Sequence, residues 1–116
     1  MSTFYIATNP IDNYWFTLRS DSGEKLLHAA GFYTKAACLQ GITQIKAAAV
    51  LPERYVRKGM EQHRHFFVLL SEKGKSIAVS EIFKTDTEME RALTEIIETV
   101  MTANLVFERK IQTSDK

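Results

Sequence analysis

The hydrophobic positions of this chain fall into two runs with the same spacing. FTLRSDSGEKLLHAAGFYTK starts at Phe16, and FVLLSEKGKSIAVSEIFKTD starts 51 residues later at Phe67. They agree at Phe16/Phe67, Leu18/Leu69, Ser20/Ser71, Gly23/Gly74, Phe32/Phe83 and Thr34/Thr85. Self-similarity at a fixed offset marks a repeated supersecondary unit. The chain is therefore read as one domain, 1–116, made of two repeats at about 1–58 and 55–112, with a flexible tail at 113–116. Segment 53–59 serves as the end of one repeat and the start of the next.

Within each repeat the pattern predicts three strands, a helix and a further strand. Segments 3–8, 14–20 and 25–30 are rich in β-branched, aromatic and aliphatic residues and are bounded by turn formers. Asp21-Ser22-Gly23 and Glu72-Lys73-Gly74 supply the hairpin connections, with glycine free to take positive φ. Helices are expected at about 35–50 and 86–102, because Cys38, Ile42, Ile45 and Ala49, and then Met89, Leu93, Ile96 and Val100, recur at helical spacing. Thr85 with Glu88 reads as a capping box; Thr34 caps the first helix without that glutamate. Pro52 is expected to close the first helix and Asn104 the second. Outside the core motif, Tyr5-Ile6 is set against Tyr55-Val56, and Tyr55 to Lys58 against Phe107 to Lys110.

The same residues carry a family resemblance. Phe16, Leu18, Gly23, Glu24, Leu26, Lys35, Ala36, Gly41, Ile42, Ile45 and Lys46, echoed by Phe67, Leu69, Gly74, Ile77, Ser80, Glu81 and Phe83, form a pattern similar to the YegP-like family of small bacterial and archaeal proteins. The resemblance implies an α+β fold: two tandem β-β-β-α-β repeats forming a pseudo-dimer, a largely antiparallel sheet packed by two helices, and last strands exchanged between repeats. It implies no particular activity. The chain departs from the pattern at Ala29-Ala30, and at Ala92 and Ile97 in the second repeat.

Composition narrows the classes further. Fifteen basic and fourteen acidic residues leave a net charge of +1, with no overall field to draw in nucleic acid or anionic membrane. A lone cysteine, Cys38, cannot form an internal disulfide and fits a reducing compartment. The first ten residues lack the basic and apolar stretches of a signal peptide, and Phe66–Leu70 is too short to span a bilayer. A cytoplasmic protein without a membrane segment is the expectation.

Candidate chemistry is sparse. His63 and His65 alternate on a strand and could share an ion, but His65 is in step with the core residues Phe67 and Leu69. No metal ligand set, cofactor site or catalytic residue is assigned. Ser71 and Ser80 have no His and acid at a meaningful spacing, and Lys73-Gly74-Lys75 is too short for a phosphate loop. The strongest indication is physical. If Phe16, Leu18, Phe67 and Leu69 face the helices, then Trp15, Phe66, Val68 and Leu70 face the other way. Together they would expose roughly 500 Å² of apolar surface, near the upper end of what a monomer leaves bare. The function expected is a non-catalytic binding module using this open face, with a second copy or an unidentified protein as partner. The alternative is a single-stranded nucleic-acid binder in which Arg57, Lys58, Arg109 and Lys110 supply cations and Trp15 a stacking ring.

Overall fold

Alternation along the strands dictates the architecture. The computed structural model describes residues 1–9, 11, 13–61 and 63–108. Among them the chain forms β1 (Thr3–Thr8), β2 (Tyr14–Arg19), β3 (Lys25–Phe32), α1 (Lys35–Ala49), β4 (Tyr55–Glu61), β5 (Arg64–Leu70), β6 (Ser76–Ser80), α2 (Asp86–Thr99) and β7 (Asn104–Phe107). The strands make one mixed sheet in the order β4-β5-β6-β3-β2-β1-β7. Every neighbouring pair is antiparallel except β1–β7, which is parallel. The fold is α+β, and residues 109–116, with Arg109, Lys110 and the tail expected at 113–116, lie outside the described residues.

Both helices pack on one face. Phe4, Phe16, Leu18, Phe67 and Leu69 are fully buried there against Cys38, Ile45, Met89 and Ile96. Thr34 and Thr85 cap the two helices, accepting from the amides of Ala37 and Glu88 at 3.0 and 3.1 Å. The expected hairpin glycines take left-handed backbone, Gly23 at φ +90° and Gly74 at φ +82°. In each hairpin the preceding serine, Ser20 or Ser71, accepts the amide of the residue after the turn glycine through its side chain. Two expectations need correction at element ends. β3 runs on to Phe32, because Gly31 at φ +92° lets the backbone bend and continue. Asn104 does not stop α2; a 3-10 turn over Val100–Thr102 does, and Asn104 opens β7.

Aromatic rings recur in matching places. Phe4 meets Phe16 edge-on at 5.6 Å, and Tyr55 meets Phe67 edge-on at 5.4 Å. Phe16 stacks on Phe32 at 5.7 Å, and Phe67 on Phe83 at 6.5 Å. Strand register corrects the sequence alignment here. Phe4 lies opposite Leu18 and Tyr55 opposite Leu69, so Tyr55 takes the place of Phe4 rather than that of Tyr5. β4 thus borders β5 as β1 borders β2, whereas β7 lies parallel to β1 at the far edge.

Candidate interaction surface

With both helices on one face, the other face of the sheet carries no second layer among the described residues. Register carries one row of side chains straight across it: Val106, Tyr5, Thr17, His28, Val79, Val68 and Val56, each directly opposite the next. Trp15 pairs with Ala7 and Ala30 on one side of this row, and Phe66 pairs with Lys58 on the opposite side in the other half. Leu70 lies on the Trp15 side of the row, across from Ser76.

The expected orientation of Trp15, Phe66, Val68 and Leu70 therefore matches the register, but their exposure is less than expected. All four are half-buried, and Thr17 and Ala7 on the same face are buried. Large neighbours in a twisted sheet shield one another even without a covering layer. The apolar patch is correspondingly smaller than the roughly 500 Å² estimated from full side chains. Val56, at the β4 edge, is the row's more open aliphatic in this half.

The two halves of the face differ in chemistry. Arg19 lays its guanidinium 4.6 Å from the centroid of the Tyr5 ring, a cation–π contact beside Thr3 and Thr17. The Arg19 Nε is buried and has no hydrogen-bond partner among the described residues, in keeping with a guanidinium held against the ring. The places 51 residues on hold Val56, Val68 and Leu70, so the second half is apolar where the first is polar.

Among the described residues the basic candidates, Arg57 and Lys58, do not converge. Arg57 faces the helices, where its guanidinium binds the Glu90 carboxylate, with Nη2 donating to Oε1 at 3.0 Å. Lys58, next in sequence, lies on the helix-free side opposite Phe66. Trp15 is on β2, four strand spacings or about 19 Å from β4. Among these cations and rings, only Lys58 and Phe66 are brought side by side.

The remaining candidates have structural partners. His63 occupies a tight turn at φ +67°, and His65 exchanges both backbone hydrogen bonds with Phe83. Among the described residues no three His, Cys, Asp or Glu side chains gather as a metal site. The Ser80 hydroxyl accepts the Phe67 amide at 3.0 Å and donates to the Glu81 carbonyl at 2.7 Å, which is a packing role. Burial pushes the Cys38 thiol up to about 11.

A groove that the hydrophobic pattern does not reveal lies at the centre. β3 and β6 pair only at Leu27/Ser80 and His28/Val79 and then part. Between their diverging ends and α1 is a cavity of about 390 Å³, lined by Ala29, Phe32, Gly41, Gln44, Ser76 and Ile77 among others. Its one advance signal is Gly41: a Cβ there would lie 2.8 Å from the Phe32 ring.

Comparison with known proteins agrees with this architecture. Residues 12–55 match a family model described as a domain of unknown function, DUF1508. The chain is 23% identical over 91 residues to a UPF0339 protein encoded in the 5′ region of the ptx operon of Stutzerimonas stutzeri, covering 78% of this chain and 82% of that one. A UPF0339 protein of Bordetella pertussis is 28% identical over 85 residues, 73% of this chain and 77% of that one. The solution structure of yegP from E. coli, a protein of unknown function, superposes with a TM-score of 0.82 at 18% identity over 92% of both chains. A UPF0339 protein from Shewanella oneidensis gives 0.83 at 16% identity, over 91% of this chain and 90% of that one. Among the described residues no helix is long and apolar enough to cross a membrane.

Proposed function

We propose that this chain, a YegP-like protein by its domain match, relatives and fold, is a non-catalytic binding module that works through the helix-free face of its sheet. The observation that carries the reading is the unbroken row from Val106 to Val56, apolar in the half that bears Phe66, Val68 and Leu70. Trp15 marks the other end of the same surface. Self-association through Phe66, Val68 and Leu70 is the simplest form; an unidentified protein partner is the other.

We also infer that the fold is a fused pseudo-dimer of two β-β-β-α-β repeats. Three features support it: the matched ring pairs, the β1–β2 and β4–β5 registers that agree over Phe4–Thr8 and Tyr55–Gly59, and the direct pairing of His28 with Val79. His28 and Val79 are equivalent under the 51-residue offset, so a twofold relating the halves would pass between them. In this reading β7 is the strand the second repeat lends to the first. The duplication then explains the asymmetric face: one half kept Arg19 and Thr17 while the other gained Leu70 and Val68.

The test is native mass spectrometry of untagged protein purified gently from cells, as wild type and Phe66→Glu. The expected result is a discrete added mass on the wild type that Phe66→Glu loses while keeping its circular dichroism. Identical added masses on wild type and Phe66→Glu, or a bare wild-type monomer, overturn the reading.

The second reading, single-stranded nucleic acid, draws support from Lys58 standing opposite Phe66, a cation beside a stacking ring. Such binding weakens steeply as salt rises. Salt-independent or absent binding of an oligonucleotide by filter assay removes it.

A further inference from the structure

We propose that β7 is a self-association edge, pairing antiparallel with β7 of a second copy about Val106. The two ends of the sheet differ in how they are guarded. Proteins protect free strand edges with cations, bulges and charged side chains. β4 has all of these: Arg57 held by Glu90, Lys58, and a register irregularity between Gly59 and Glu61. β7 has none within its span, although the Lys35 ammonium from α1 lies 4.3 Å from the centroid of the Phe107 ring. Leu105, Val106 and Phe107 are 45%, 41% and 46% exposed, covering both faces of the strand.

The backbone phase fits a twofold. Asn104 and Glu108 turn their amides toward β1, donating to Ser2 and Ile6. Alternation then points the amides and carbonyls of Leu105 and Phe107 outward. An antiparallel pair centred on Val106 sets Leu105 against Phe107 of the partner copy, so these outward groups satisfy one another on both sides of the axis. The side chains agree: Leu105 meets Phe107, Val106 meets Val106, and Asn104 meets Glu108. No like charges are placed opposite each other. The same operation on β4 would bring Arg57 and Lys58 close to their own copies, and like charges directly opposite destabilise a strand pair. A second copy is therefore an occupant suited to β7 and not to β4. Three apolar side chains per copy fall short of the roughly 1,200 Å² of a stable interface, so the dimer is weak and concentration-dependent.

This inference does not rest on the helix-free face, and its test separates the two. Sedimentation velocity over a concentration series should show wild type rising to twice the chain mass or more, Phe66→Glu still reaching twice the chain mass, and Val106→Lys losing the association that Phe66→Glu keeps. The register has its own readout. Directly opposed, non-hydrogen-bonded residues lie about 4.5 Å apart at Cα, within disulfide reach. Val106→Cys should therefore cross-link under mild oxidation, Leu105→Cys several-fold less, and buried Cys38 not at all. A wild type that stays monomeric at every concentration overturns the proposal. So does equal cross-linking of the Leu105→Cys and Val106→Cys variants, or loss of association in Phe66→Glu with Val106→Lys unaffected. Strong amide protection of Leu105 and Phe107 in dilute monomer would likewise overturn it, since it means the chain covers its own edge.

Discussion

Tyr55 donates its phenolic hydrogen to the carbonyl oxygen of Ala49 at 2.6 Å, tying the start of β4 to the last turn of α1. Both residues are buried, and the carbonyl is one of those a helix end leaves without an intrahelical donor. Tyr55→Phe keeps the ring against Phe67 and removes the donor alone. Stability should fall by about 1–2 kcal/mol, the cost of a buried acceptor left unpaired, as read from the denaturant midpoint. Burial also raises the phenol pKa well above its ordinary value. Above about pH 10 the unfolded phenol ionises while the folded one does not, so stability declines with rising pH. Tyr55→Phe should decline less steeply.

Gly41 lies over the Phe16–Phe32 stack, where a Cβ would sit 2.8 Å from two Phe32 ring carbons and 3.5 Å from Phe16. Gly41→Ala gains about 1 kcal/mol of helix propensity. Pushing a packed ring aside costs about 1–3 kcal/mol. A net loss of about 1 kcal/mol is expected in chemical denaturation. The double variant Gly41→Ala with Phe32→Leu should recover part of that loss; no recovery would show that the ring is not the obstacle.

What the sequence disclosed and what it hid follow from the range of the interactions. Phe16, Leu18, Phe67 and Leu69 were assigned to the helix side by alternation, a signal local to each strand, and all four are buried there. The caps at Thr34 and Thr85 were legible because each depends on a residue three positions away. The parallel pairing of Thr3 with Asn104 joins residues a whole chain apart and leaves no local mark. The half-burial of Trp15 and Phe66 was hidden for another reason: facing is set by the pleat, whereas shielding comes from neighbours on other strands. The Tyr55/Phe4 equivalence is not legible in residue identity, which matches Tyr55 to Tyr5, one place out of register.

Cys38 offers a direct probe of core integrity. The thiol is buried, and burial raises its pKa to about 11. Thiolate is the reactive form, so folded protein should leave a disulfide reagent unconsumed at mildly alkaline pH. In concentrated guanidinium chloride one thiol per chain should react at once. Because the folded pKa is raised, the unfolded thiol ionises first, and stability falls as pH rises from about 8.5 toward 11. Cys38→Ala should lack this component of the slope; rapid labelling of the native state would show that α1 opens far below global unfolding.

Arg57 and Glu90 make the opposite pH prediction. The hydrogen bond and positive charge of Arg57 hold the Glu90 carboxyl below its usual range. A carboxylate with a depressed folded pKa stabilises above the unfolded pKa, about 4.3, and that contribution is lost as pH falls through the folded value. Both groups are substantially exposed, so solvent screening confines the pair to about 0.2–1 kcal/mol. A double-mutant cycle with Arg57→Ala and Glu90→Ala should give a coupling of that size at neutral pH, smaller in high salt and absent in acid. Coupling unchanged by salt and acid would mean that the side chains interact by packing rather than charge. Arg57 also guards the β4 edge, so Arg57→Val should add concentration-dependent association to that of wild type. If the single variant loses stability yet associates no more than wild type, the ion pair serves to fasten α2 to β4, and Lys58 with the irregularity after Gly59 suffices to keep the edge unpaired.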